Sequence, residues 1–388
     1  MASPLDPFES VDAGSSHGGA LLAAERVSGR VPRPAETGPA PQARRFGEVP
    51  EDGTVELWTL VGRGGLALEV MTLGGIVTRL LAPGRNGKLD DVVLGFNELE
   101  QYVAGHPYFG AITGRTAGRT SNAAFTLEGK RYELARNDPP HHLHGGERGL
   151  DKRIWKAAPV ARADGAPSLR LTYRSPDGEE GYPGNVDIAV TYTVTDDNEF
   201  LVETEATSDK VTPLNLAHHS YFNLAGEGSG SVEDHWLEVF ADEIVPVDEF
   251  LIATGRREPV TRGSNDFRQA QRLSDAIPLL FQQHGDLYAL PTHGSEERVK
   301  AARLTDPRSG RAVTVSTTER YLQFYTGSHL HEGRPGKSGK AYGRFAGVCL
   351  ECQGYPDMAN EELRKEILLR PGQTQRHSTA YAFSVADT

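Results

Sequence analysis

Apolar and polar residues alternate with a period of two over much of this chain. The stretch at 169–174 (LRLTYR) alternates. So does 186–195 (VDIAVTYTVT), which puts Val186, Ile188, Val190, Tyr192 and Val194 on one face. The polar run DDNE at 196–199 reads as a turn, and FLVETEAT at 200–207 as the next strand, which together make a hairpin signature. The 43 Gly and 24 Pro supply many further turns. Long amphipathic helical stretches are scarce. NEELRKEILL at 360–369 is the best helical candidate, and with RPGQ after it the stretch reads equally as a turn followed by a strand. Many short strands without alternating helices predict an all-β fold, one large single-domain β-sandwich, rather than a parallel α/β sheet.

The alternation does not reach the N-terminus. Residues 1–45 are rich in Pro, Gly, Ser and Ala, as in PRPAETGPAPQARR at 32–45. They read as a flexible tail, with the folded domain at 46–388. Length alone suggests two or three domains, but a large all-β domain accommodates the whole stretch. Composition adds exclusions. Hydrophobic residues make up 38% and charged residues 24%, the balance of a soluble protein. Net charge is −12 and the Lys and Arg are scattered without a basic stripe, which argues against a nucleic-acid partner. Two cysteines are too few for a disulfide framework and fit a reducing compartment, the cytoplasm. No apolar run approaches the roughly 18 residues of a membrane helix. The apolar patch ALLAA at 20–24 is too short for a signal peptide, and acidic Asp6 and Glu9 precede it.

Five clusters carry candidate chemistry. HHLHGG at 141–146 has three histidines in four residues. In a strand His142 and His144 would share a face, and with a carboxylate they would suit a divalent metal. The alternative is a loop histidine held by hydrogen bonds. In NLAHHSYFNL at 215–224, adjacent His218 and His219 face opposite ways, in apolar company that would shift a histidine pKa. VCLECQGYPD at 348–357 contains a C-x-x-C. If it is a strand, Cys349 and Cys352 point apart and can neither chelate nor pair, while Glu351 shares a face with Cys349 and Gln353. A carboxylate in such surroundings is paired, hydrogen-bonded or functional. GAITGRTAGRT at 110–120 offers Arg115 and Arg119 as bidentate donors or as surface ion pairs. It lacks the Lys-Ser/Thr ending and the following helix of a phosphate loop. HGDLYAL at 284–290 places Asp286 before an apolar run.

Taken in order, these and further stretches resemble the aldose 1-epimerase (galactose mutarotase) family. The matching segments are GGIVTRL (74–80), DDVVLGF (90–96), FTLEGKRYEL (125–134), LHGG (143–146), SPDGEEGYPG (175–184), HSYFNL (219–224), QFYTG (323–327), LECQGYPDMAN (350–360) and LRPGQ (369–373). The resemblance implies a single large β-sandwich that exchanges the α and β anomers of free aldoses, with no metal and no organic cofactor. It implies Glu351 as general base and His219 as general acid. It implies His144, Arg119 and Asp286 as contacts to sugar hydroxyls, and Phe324 as an aromatic wall. Three positions depart from the family pattern. Gly118, His218 and His141 stand where the family usually has Asn.

The expected partner is a small aldose such as glucose or galactose, with no nucleic acid, no membrane, and a monomer or homodimer as the assembly. Alternatives are a sugar-phosphate epimerase of the same fold, for which Arg115, Arg119 and Arg148 are the nearby cations, a non-catalytic sugar-binding protein, and a metal enzyme built on the HHLH cluster.

Overall fold

Three antiparallel sheets organise the chain in a computed structural model, which describes residues 39–385 except 262–264, 293–295 and 332. The tail expected at 1–45 lies outside the described residues up to 38, and its last residues belong to the fold. Strand Gln42–Val49 pairs with Gly53–Val61, so Gln42 through Arg45 face Thr59 through Glu56 in register. These two strands begin a five-stranded sheet completed by Ala67–Met71, Val77–Pro83 and Leu89–Asp91.

The predicted hairpin is the middle of a nine-stranded sheet. Strand Val186–Val194 pairs with Ser168–Ser175 on one side and Glu199–Ser208 on the other, with Val194 opposite Phe200 at the turn. Val186, Ile188, Val190, Tyr192 and Val194 are all buried, as the alternation requires. Glu199–Ser208 pairs in turn with Gln375–Val385, which pairs with Arg311–Thr317. A six-stranded sheet packs on this one. Its order is Tyr221–Phe222, Val348–Gln353, Tyr321–Tyr325, Leu287–Ala289, Glu243–Val245 and Glu258–Pro259.

The main core lies between these two sheets. Phe200, Tyr192 and Tyr381 of the larger sheet share one apolar cluster with Leu322, Phe324, Leu350 and Cys352 of the smaller. The Tyr381 hydroxyl donates to the Leu350 carbonyl at 3.2 Å, satisfying a polar group that burial would otherwise penalise. The 360–369 stretch takes both forms allowed by its pattern. Asn360 caps a single helical turn, Glu361–Arg364, and Leu368–Leu369 then pairs with Thr212–Pro213. No helix among the described residues is long and apolar enough to cross a membrane.

Candidate active site

Strand register decides which side chains meet. Gln323 lies opposite Glu351, and Phe324 opposite Leu350. Leu287 lies opposite Gln323 from the other side. Alternation then sends Glu351, Gln353, Gln323, Tyr325 and Leu287 to a cavity of about 170 Å³, and Leu350, Cys352 and Phe324 to the core. All six residues of Val348–Gln353 are buried, so Glu351 is a carboxylate on a fully shielded strand.

His219 arrives from a different part of the chain. It sits between two short strands, with its amide on Ala111 O at 2.9 Å and its carbonyl taking the Gly110 amide at 3.0 Å. Its Nε2 lies 3.6 Å from Glu351 Oε2, and both side chains are 4% exposed. Burial acts on both. It pushes the Glu351 carboxyl up to about 8, against a small opposing pull from Arg119, and pushes His219 down to about 4.

His144 is the only histidine of the HHLH cluster that reaches this cavity. The expectation that His142 and His144 share a strand face does not hold. The strand is only His142–Leu143, and His144 turns out of it with φ of 49°. His142 is fixed in the scaffold instead, with Nδ1 on Ala135 O at 2.8 Å and Nε2 on Tyr182 Oη at 2.7 Å. The double glycine after His144 has a steric cause. A side chain at Gly145, whose φ is 91°, would collide with the Gly114 carbonyl.

Gly118 is the second glycine that the site requires. Its amide donates to His144 Nδ1 at 3.2 Å, while the His144 amide donates to Gly118 O at 3.1 Å. Its φ is 78°, and a Cβ there would run into Pro356. In this backbone Gly118 leaves to Pro356 the space that a side chain would take. The Gly118 bond also sets the His144 tautomer: with Nδ1 accepting, the ring proton of the neutral imidazole is on Nε2. This bears on metal binding, because one donor atom each from His144, His219 and Glu351 lie within 4.8 Å of one another. A metal on His144 Nε2 would force the proton onto Nδ1, against the Gly118 N–H. The arrangement instead presents an N–H donor to the cavity.

Arg119 also lines the cavity, with Nε on Asp138 Oδ2 at 2.7 Å. Two expected contacts fall elsewhere. Phe324 is fully buried and packs edge-on against Phe267, because its strand neighbours Gln323 and Tyr325 take the cavity face. Tyr325 and Tyr108 supply the aromatic walls. Asp286 is half-buried beside the cavity. Its neighbours Gly285 and Leu287 line the space and it does not, because Leu287 pairs in register with Gln323 and Asp286 falls on the alternate side. Burial raises its carboxyl to about 6.

The remaining candidates are structural. Arg115 is buried and donates to Ser175 Oγ, Ser175 O, Pro176 O and Pro183 O, tying down the 175–184 loop. Arg148 pairs with Asp52. His218 packs against Tyr192, Phe200 and Tyr381 in the core, with Nε2 on Ser220 Oγ at 2.7 Å. His141 takes the Asn122 amide on Nδ1 at 3.1 Å. Sequence reasoning missed Tyr108, Gln323, Tyr325, His284 and His329 as cavity residues. The alternation of QFYTG against Glu351 was the available signal for Gln323 and Tyr325.

A larger groove of about 930 Å³ lies on the outer face of the nine-stranded sheet. Its charges are engaged with one another, as in Arg162 with Glu203, Arg170 with Glu205 and Arg320 with Glu366. The smaller cavity holds the buried Glu351–His219 pair with both pKa values shifted, which makes it the candidate site.

The family model for aldose 1-epimerase matches residues 56–382. A galactose mutarotase from Rattus norvegicus is 43% identical over 342 residues, covering 88% of this chain and 98% of that protein. An aldose 1-epimerase from Escherichia coli is 33% identical over 341 residues, covering 86% and 96%. The crystal structure of an aldose epimerase homologue from C. elegans superposes with a TM-score of 0.77 at 30% identity, covering 85% of this chain and 98% of that one.

Proposed function

Because the chain belongs to the aldose 1-epimerase family, we propose that it interconverts the α and β anomers of a free hexose such as glucose or galactose, with Glu351 as general base and His219 as general acid. The observation that carries this reading is the pair itself: a carboxylate and an imidazole 3.6 Å apart in a cavity whose other polar groups are hydrogen-bond donors and acceptors.

The chemistry needs two proton transfers. Glu351 takes the proton of the C1 hydroxyl while His219 protonates the ring oxygen. The C1–ring oxygen bond breaks and an open-chain aldehyde forms. Rotation about C1–C2 turns the other carbonyl face toward the hydroxyl, and reclosure runs the same transfers in reverse. Each positioned acid or base contributes about 10² to 10⁴ in rate. Burial favours neutral Glu351 and neutral His219 in the empty cavity. The reactive carboxylate–imidazolium form carries the same number of protons, so one proton shift within the pair reaches it without exchange with solvent. His144 Nε2–H and Arg119 are placed to hold sugar hydroxyls, which supplies orientation.

A free sugar suits the cavity better than a sugar phosphate. Of Arg115, Arg119 and Arg148, only Arg119 lines it, and Asp138 already engages that guanidinium. A non-catalytic binding role leaves the burial of a carboxylate against an imidazole without purpose. The reading places the protein in the cytoplasm, where Cys349 and Cys352 stay thiols, as a monomer or homodimer. Polarimetry on freshly dissolved α-D-glucose and α-D-galactose tests it. Added protein is expected to accelerate the approach to anomeric equilibrium, and Glu351→Gln to abolish that acceleration with circular dichroism unchanged. Equilibration at the spontaneous rate across a panel of aldoses would overturn it.

A further inference from the structure

The C-x-x-C of strand Val348–Gln353 has one cysteine that packing explains and one that it does not. Cys352 is core filling, on the same face as Leu350. Cys349 points the other way. It lies opposite Tyr221 on one neighbouring strand and opposite Tyr325 on the other, so its position is fixed from both sides. It is fully buried and does not line the cavity, which leaves it beneath the site rather than within it. Its Sγ lies 3.5 Å from Nδ1 of His219.

We infer that Cys349 is a positioning residue, whose sulfur accepts the Nδ1–H of His219 and holds the ring in the tautomer that leaves Nε2 bare toward Glu351. This rests on His219 being the general acid. The acid must receive its working proton on Nε2, the nitrogen nearest Glu351. A neutral imidazole has only one ring proton, so that proton must otherwise sit on Nδ1. The groups around His219 leave Cys349 to select this form. Glu351 faces Nε2, Tyr221 and Tyr108 present ring faces at 5.1 and 5.7 Å, and His144 meets the ring edge-on at 5.1 Å. Burial holds the thiol pKa well up, so Cys349 stays uncharged and does not bind the imidazolium as a thiolate would. Sulfur is a weak acceptor. It orients the ring without stabilising the charged form strongly, which keeps His219 ready to give its proton away.

The test is ¹⁵N NMR of histidine-labelled protein, with steady-state kinetics on Cys349→Ala and Cys349→Ser. The wild type is expected to show His219 protonated on Nδ1 at neutral pH. Cys349→Ala is expected to give a mixture of tautomers and a fall in kcat of about tenfold with KM unchanged, a modest part of the ~10² to 10⁴ that a positioned acid supplies. Cys349→Ser keeps an acceptor, so it is expected to restore the single tautomer and most of the rate. Because oxygen accepts more strongly than sulfur, it should also move the acidic limb of the kcat profile to higher pH. A wild-type spectrum with the proton on Nε2 would overturn the inference, even if neither variant folded. So would a Cys349→Ala enzyme with wild-type tautomer and pH profile. Failure of the underlying reading looks different: His219→Gln would then keep its rate, whatever the spectrum of the parent protein.

Discussion

Glu351 and His219 lose solvent together, and the loss favours the uncharged form of each. For Glu351 the folded-state pKa is raised, to about 8 from an ordinary 4.5. Between these values the folded protein holds a proton that the unfolded chain has released, so stability falls as pH rises through this window. His219 acts in the opposite sense, because its folded-state pKa is lowered to about 4 and its burial costs stability as pH falls below about 6.5. Glu351→Gln removes the first effect and keeps the second. The variant is expected to match the wild type in thermal stability near pH 5 and to exceed it near pH 9, by an amount on the order of a few kcal/mol. Melting temperatures across that range check this. A constant offset at all pH values would mean that Glu351 ionises as freely in the fold as outside it.

At the scale of the element, one strand pair carries most of the site. The registers of Val348–Gln353 with Tyr321–Tyr325 determine which of two adjacent aromatics meets the cavity. Phe324 in the core and Tyr325 at the wall predict separable effects. Phe324→Ala should cost about 3–5 kcal/mol of stability, the usual range for removing a buried ring, with KM unchanged at temperatures where the variant is folded. Tyr325→Ala should raise KM instead. Denaturant melts beside a kinetic titration separate the two. This is also where the sequence was hardest to read. Alternation in 186–195 found a strand and its buried face, and strand geometry found that the two cysteines point apart. The same rule could place Tyr325 only relative to Glu351, because it needs the register of Tyr321–Tyr325 against Val348–Gln353, which local alternation does not supply. His142 and His144 were misread for a different reason. A positive φ at His144 breaks the period, and nothing in HHLH announces it before the glycines that follow. Asp286 precedes its strand by one residue, where facing is set by the pairing of Leu287.

At the scale of the whole molecule, a buried cation is among the links that tie the N-terminal sheet to the nine-stranded sheet. Arg311 is 2% exposed. Its guanidinium donates to Ala82 O, Lys88 O and Leu224 O, and pairs with Asp90 Oδ2 at 2.6 Å. Removing the cation takes a donor from each of these acceptors, while Lys88 O keeps the Gly84 amide, Leu224 O keeps the Ser309 hydroxyl and Asp90 keeps Lys88. Arg311→Met is therefore expected to lower stability by about 1–3 kcal/mol, the usual cost of taking hydrogen bonds from buried carbonyls. It should leave KM unchanged, because Arg311 does not line the cavity. Chemical denaturation with parallel initial-rate measurements checks both halves of the statement. The overall architecture was legible in the sequence as an all-β pattern. This clasp was not, since a buried arginine and an exposed one look alike until distant carbonyls are brought to it.

The place of Gln375–Val385 has a consequence for how the protein comes into being on the ribosome. This strand, late in the chain, is inserted between Glu199–Ser208 and Arg311–Thr317, in the middle of the largest sheet. Its Tyr381 also supplies the hydroxyl that binds Leu350, one residue from Glu351. A chain synthesised as far as Gly372 therefore contains both His219 and Glu351 and still lacks the partner strand that closes the layer behind them. Translation arrested at Gly372 is expected to yield an inert, protease-sensitive chain, and release of the remaining residues to switch on both protease resistance and anomerase activity in one step.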